Sequence, residues 1–148
     1  MTQKINAAGL AIVKEFEGLR LDAYPDPGTG GDPWTVGYGH TGPEVRRGLK
    51  ITKAQADEYL KKDLEKFERH VAQMVQVEIT DNMFSALVSL CYNIGPGNLG
   101  KSTLIRSLNV EDFNRAQAEF SKWNRAAGRV MPGLTRRREA EAKLFGTP

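Results

Sequence analysis

The sequence predicts a helix-dominated α+β fold: a small N-terminal β-hairpin lobe joined by a long helix to a larger helical lobe. Three observations predict it. A helical apolar period near the N-terminus gives way to a Gly/Pro-rich, β-prone stretch over about residues 19–51. A long amphipathic segment opens at Thr52. From Thr80 onward the pattern is again helical, interrupted only by Gly and Pro clusters. At 148 residues the chain is expected to form one domain, 1–148, with a β-rich lobe at about 19–51 and a helical lobe at about 52–148 plus the N-terminal helix.

The first helix is expected to start at Asn6 as N-cap, to carry Leu10, Ile12, Val13 and Phe16 as its apolar face, and to end at Gly18. That puts Glu17 in its last turn. Tyr24-Pro25-Asp26-Pro27-Gly28 and Gly30-Gly31-Asp32-Pro33 have turn chemistry, and Trp34 to His40 alternates as one strand. Thr52-Lys53-Ala54-Gln55 is a capping box. The helix behind it buries Ala56, Leu60, Leu64, Phe67 and Val71 and exposes a charged face. The next helix opens near Thr80-Asp81 and is apolar almost all round to Cys91, as a central buried helix should be, until Gly95-Pro96-Gly97 breaks it. Ser102 caps a short helix. Asn109 or Glu111-Asp112 starts another, carrying Phe113, Ala116, Phe120 and Trp123. Gly128 to Gly133 is expected as loop, and a last helix as running from about Thr135 to Phe145.

Composition narrows the function classes. Hydrophobic residues make up 40% and charged residues 26%, a globular balance. The net charge of +3 suits an acidic polymer without selecting one. A single cysteine, Cys91, excludes an internal disulfide and is expected in the core. One cysteine and two histidines, His40 and His70, make no metal-ligand spacing, and no metal or cofactor is expected. Charges within residues 1–20 leave no signal-peptide core, and no apolar run approaches a membrane span. Stable membrane insertion is therefore not expected.

Glycosidic bonds are hydrolysed by pairs of carboxyl groups, an acid for the leaving oxygen and a partner that activates water or attacks. Glu17 and Asp26 stand at a helix end and in the following turn region, so that two segments meeting there can face each other across a cleft. The partial negative charge at a helix C-terminus and packing beside Phe16 and Leu19 both favour a neutral Glu17, the form a proton donor needs.

These residues carry a resemblance. Glu17-Gly18-Leu19-Arg20-Leu21, Tyr24-Pro25-Asp26 and Thr35-Val36-Gly37-Tyr38-Gly39-His40 are similar to the N-terminal signature of the phage-type lysozymes, glycoside hydrolase family 24. Tyr92 to Asn98 resembles the helix end beside that family's cleft, and Gly133 to Glu141 its C-terminal Gly-Leu-x-x-Arg-Arg-x-x-Glu motif. The resemblance implies a lysozyme-like fold and an endolysin that hydrolyses the β-1,4 bond between N-acetylmuramic acid and N-acetylglucosamine in bacterial peptidoglycan. It implies Glu17 as general acid and Asp26 with Thr35 as the groups that activate water. It further implies Asn93 as a substrate-side amide, Arg137 as a partner of the catalytic acid on the substrate side, and a structural pair between His40 and Asp63. Arg136 and Arg138 are expected at the solvated surface, as is His70. In one place the chain departs from the family. Eight residues, Pro27 to Trp34, separate Asp26 from Thr35 where the family has five, so Asp32 is a second candidate for the carboxylate.

The same resemblance implies synthesis in a host cytoplasm and action on the wall in the periplasm after membrane permeabilisation, with functional dependence on a holin. A monomer without nucleic-acid partners is expected. Compactness, with no room for a wall-binding module, points by analogy to a thin-walled host. The rival readings are a lytic transglycosylase, which needs no water nucleophile, and a non-catalytic peptidoglycan or nucleic-acid binder.

Overall fold

Two units divide the chain, Val13–Glu65 and Met1–Ile12 with Lys66–Pro148, and the division falls within helices α1 (Ala7–Glu17) and α2 (Lys53–Met74). The computed structural model describes residues 3–148.

In the unit Val13–Glu65, strands β1 (Arg20–Tyr24), β2 (Thr35–Gly37) and β3 (His40–Thr41) form an antiparallel sheet in that order. Arg20 pairs with Gly37 and Tyr24 with Thr35 across β1 and β2; Val36 pairs with His40 across β2 and β3. The single strand expected over Trp34–His40 is therefore two strands. Gly37 and Gly39 take φ of 67° and 91°, which folds the chain back at Tyr38-Gly39. A Cβ on Gly37 would also stand 3.4 Å from the Ala56 Cβ, so the residue that permits the turn lets the start of α2 approach the sheet. The free side of β1 accepts and donates hydrogen bonds through Leu49 and Ile51. Val13, Val36, Tyr38, Val45, Ile51, Ala56, Leu60 and Leu64 are the buried apolar set of this unit. The capping box of α2 closes reciprocally: the Gln55 amide donates to Thr52 Oγ1 (3.1 Å), and the Thr52 amide to Gln55 Oε1 (2.8 Å).

The other unit is built on α3 (Asp81–Ile94), whose residues Phe84 to Cys91 are all buried, as its apolar circumference requires. Thr80 caps it by accepting from the Met83 amide. Against it pack α4 (Pro96–Gly100) and α7 (Pro132–Phe145), while α5 (Thr103–Asn109) packs on α6 (Phe113–Glu119). Asn6 caps α1 by accepting from the Gly9 amide on Oδ1, and its own amide donates to Ser85 Oγ (2.9 Å). A Cβ on Gly9 would fall 2.8 Å from the Ser85 Cβ, so glycine is what seats the start of α1 on α3.

Three expectations are corrected here. The helix carrying Phe113 stops at Glu119 and tightens to a 3-10 turn over Phe120–Lys122. Within the Gly128 to Gly133 stretch expected as loop, Arg129–Val130 is strand β5, which pairs with β4 (Arg125–Ala126) across a turn at Ala127 and Gly128 with φ of 52° and 78°. The last helix starts at Pro132, because proline at the first helical position forfeits no hydrogen bond.

Candidate active site

Glu17 is the last residue of α1 and is half-buried. Gly18 ends the helix at φ 75°, its amide donating to the Lys14 carbonyl (3.1 Å), and β1 begins two residues later. The abrupt exit is why a helix-end carboxyl and a hairpin fall within one short stretch. At the far end of β1, Tyr24 pairs with Thr35, and the ten-residue connection between them carries Asp26. Glu17, Asp26 and Thr35 thus lie in one unit, with Asp26 and Thr35 at the same end of the hairpin; Asn93 and Arg137 belong to the other unit.

Asp26 is half-buried and held by its own loop. Its Oδ2 accepts from the Gly28 amide (3.0 Å) and the Thr29 amide (3.1 Å). Its backbone N–H donates to the Gly31 carbonyl (2.9 Å), and its carbonyl accepts from the Gly30 amide (2.8 Å). Asp32, the rival carboxylate, is exposed, and its carbonyl accepts from the Thr29 hydroxyl (2.6 Å). The peptide bond joining it to Pro33 is cis. Thr35 is half-buried, with its hydroxyl 3.4 Å from the Pro33 carbonyl.

His40 is engaged on both nitrogens. Nδ1 lies 2.8 Å from Asp63 and Nε2 2.5 Å from Glu44, and the ring stacks on Tyr59 at 4.0 Å. Burial alone would lower its pKa; hydrogen bonds and charge from Glu44 and Asp63 outweigh burial and hold it above the ordinary histidine value. A ring with both nitrogens committed to carboxylates is a rivet, as the resemblance implied for His40 and Asp63. Glu44 was not singled out in the sequence. Its only signal is a carboxylate four residues after His40 in a Gly-Pro turn.

Asn93 is exposed in the last turn of α3. The helix end is closed by the Gly95 amide, which donates to Cys91, and by Asn98 Nδ2, which donates to the Ile94 carbonyl (2.7 Å). Arg137 is only 2% exposed. Its Nε pairs with Glu141 at 3.2 Å, and its NH2 donates to the Ser89 carbonyl at 3.2 Å. Arg136 is exposed as expected, but Arg138 is not: it is 1% exposed, paired with Glu141 at 2.8 Å and donating to the Trp123 carbonyl. The correction has a clear cause, since fully buried Glu141 needs cationic partners. Burial pushes the Glu141 pKa up, against the pull of Arg138 and Arg137, and the Ser89 hydroxyl donates to it at 2.5 Å. Cys91 is buried, and burial raises its thiol pKa to about 12, which leaves it inert as a nucleophile.

Among the described residues, no group of three or more His, Cys, Asp or Glu side chains is arranged to hold a metal ion, and no helix is long and apolar enough to cross a membrane.

The Phage lysozyme family model matches residues 14–141. An endolysin of Bacillus phage B103 is 42% identical over 143 residues, covering 97% of this chain; the chain spans 54% of that relative's length. An endolysin of Salmonella phage P22 is 37% identical over 146 residues, 96% of this chain and 97% of its own. Among solved structures, the muramidase domain of SpmX from Asticaccaulis excentricus is 38% identical, with a TM-score of 0.90 and 99% of each chain covered. The stretch matched by the family takes in the α1 terminus, the hairpin with Asp26 and Thr35, and the α7 arginines through Glu141. This chain belongs to the phage lysozyme family.

Proposed function

We propose that this chain is an endolysin that hydrolyses the glycan strands of bacterial peptidoglycan at the β-1,4 bond between N-acetylmuramic acid and N-acetylglucosamine, working as a single catalytic domain over 1–148. Glu17 donates its proton to the glycosidic oxygen as the bond to the anomeric carbon breaks. Asp26, as the carboxylate, and the Thr35 hydroxyl bind a water on the opposite face of the sugar. Asp26 takes the proton of that water as its oxygen bonds to the anomeric carbon, with inversion. The family match over residues 14–141, which spans all three residues, carries the reading. Their presence in one unit, with Asp26 and Thr35 at one end of the hairpin, supports it.

Asn93, exposed at the end of α3, is proposed to bind the substrate through its amide. Arg137 is too buried to offer a broad glycan contact. Its part in substrate binding is proposed to be indirect, through the Glu141 and Ser89 network that holds α7 against α3. We further propose that the protein acts as a monomer, is made in the host cytoplasm, and reaches the wall after a holin permeabilises the membrane. No step requires a metal or cofactor.

Purified peptidoglycan digested by the wild type and by Glu17→Gln, with products read by mass spectrometry, tests the activity. New reducing ends from the wild type, reduced by about 10²–10⁴-fold in the variant, are expected. Anhydro-sugar products would assign the chain to the lytic transglycosylases instead, and no products from the wild type would refute a glycan-cleaving function.

A further inference from the structure

We propose that the loop from Pro27 to Pro33 is a positioning device for Asp26, and that the Thr29 hydroxyl is its latch. The inference rests on the reading of Asp26 as the water-activating carboxylate.

A carboxylate in a solvated turn rotates freely about its side-chain bonds, and a base that must hold water in one direction loses rate to that freedom. Asp26 is not free in this way. Two consecutive amides, Gly28 and Thr29, donate to the same oxygen, Oδ2. This fixes the plane of the carboxylate and leaves Oδ1 outside the cage as the oxygen that can face water. The backbone of Asp26 is fixed as well, by Gly30 and Gly31, so the cage grips the residue at both ends.

Something must hold the cage shut, because its walls are glycines with no side chains to pack. Gly28, Gly30 and Gly31 supply three of the four residues between Pro27 and Asp32. The fourth is Thr29. Its hydroxyl donates to the Asp32 carbonyl (2.6 Å) and accepts from the Gly31 amide (3.2 Å), bridging the two sides of the loop. Glycine at 28 has its own reason: a Cβ there would stand 3.1 Å from Asp26 Oδ2, against the oxygen the loop is built to hold. Thr29 is exposed and lies in no apolar core, so packing does not account for it.

The test compares wild type, Thr29→Val and Thr29→Ser on purified peptidoglycan, with kcat and KM measured separately and amide hydrogen exchange followed at Gly28 and Thr29. Valine keeps the shape and removes the hydroxyl; serine restores the hydroxyl. Thr29→Val should lose on the order of tenfold to a hundredfold in kcat, with KM and the melting temperature near wild type and faster exchange at residue 28. Thr29→Ser should recover most of the rate. Wild-type kcat in Thr29→Val, or a loss confined to KM, overturns the latch while leaving the muramidase reading intact. A rate loss that serine does not restore also overturns it. A wild type that cuts no peptidoglycan overturns both.

Discussion

Asp26 and Asp32 stand in the same loop, yet they are placed differently. Asp26 is half-buried with one oxygen fixed by two amides; Asp32 is exposed and contributes only its backbone carbonyl to the loop. A base must be held in place to be worth anything in the transition state, so geometry favours Asp26. Asp26→Asn is expected to lower the rate of reducing-end release by about 10²–10⁴-fold. Asp32→Asn should stay within about twofold, since exposed side chains away from a site seldom matter. The reverse ranking would move the carboxylate role to Asp32. In the sequence, only the Tyr-x-Asp context and the spacing from Glu17 favour Asp26 over Asp32. The cage was not legible there, because it is made of backbone amides whose direction only the folded turn defines.

Among the elements, those with local signals were legible. Asn6, Thr52, Thr80 and Ser102 each precede a helix and each accepts the amide three residues on, a contact set by neighbours in the chain. The elements that were not legible depend on backbone conformation or distant partners. Ala127 sits at positive φ in a turn that usually takes Asn or Gly, so the β4–β5 hairpin gave no warning. Arg138 looks like surface until Glu141 and the Trp123 carbonyl arrive from other turns of the chain. That cluster also predicts how α7 is held. Glu141 is fully buried between two guanidiniums and the Ser89 hydroxyl of α3. Glu141→Gln preserves the shape and removes the buried carboxylate that pairs with both guanidiniums. Breaking a buried pair in this way costs about 3–5 kcal/mol, which urea unfolding should report as a lower midpoint with unchanged slope. Loss of less than about 1 kcal/mol would mean that solvent or another acid compensates the arginines.

For the whole molecule, the dependence of stability on pH follows from groups whose titration differs between folded and unfolded chains. His40 is the clearest. Its folded pKa lies above the ordinary histidine value of 6.5, so the folded chain holds its proton more tightly than the unfolded one. Its stabilisation is therefore complete below about pH 6.5 and is lost as pH rises through the folded value. Glu44 has the opposite sign. The hydrogen bond to His40 lowers its pKa from 4.5, so its contribution is present above that value and is lost as pH falls through the lowered one. The two contributions overlap between about pH 4.5 and 6.5, where His40 is charged and Glu44 is ionised. The unfolding free energy of wild type minus that of His40→Gln, taken from about pH 4 to about pH 9, should be greatest in that window and decline on both sides. Part of it should persist at high pH, because stacking on Tyr59 at 4.0 Å does not need the proton. A difference independent of pH would reduce His40 to that stacking alone and remove the charged clamp from the account of this fold.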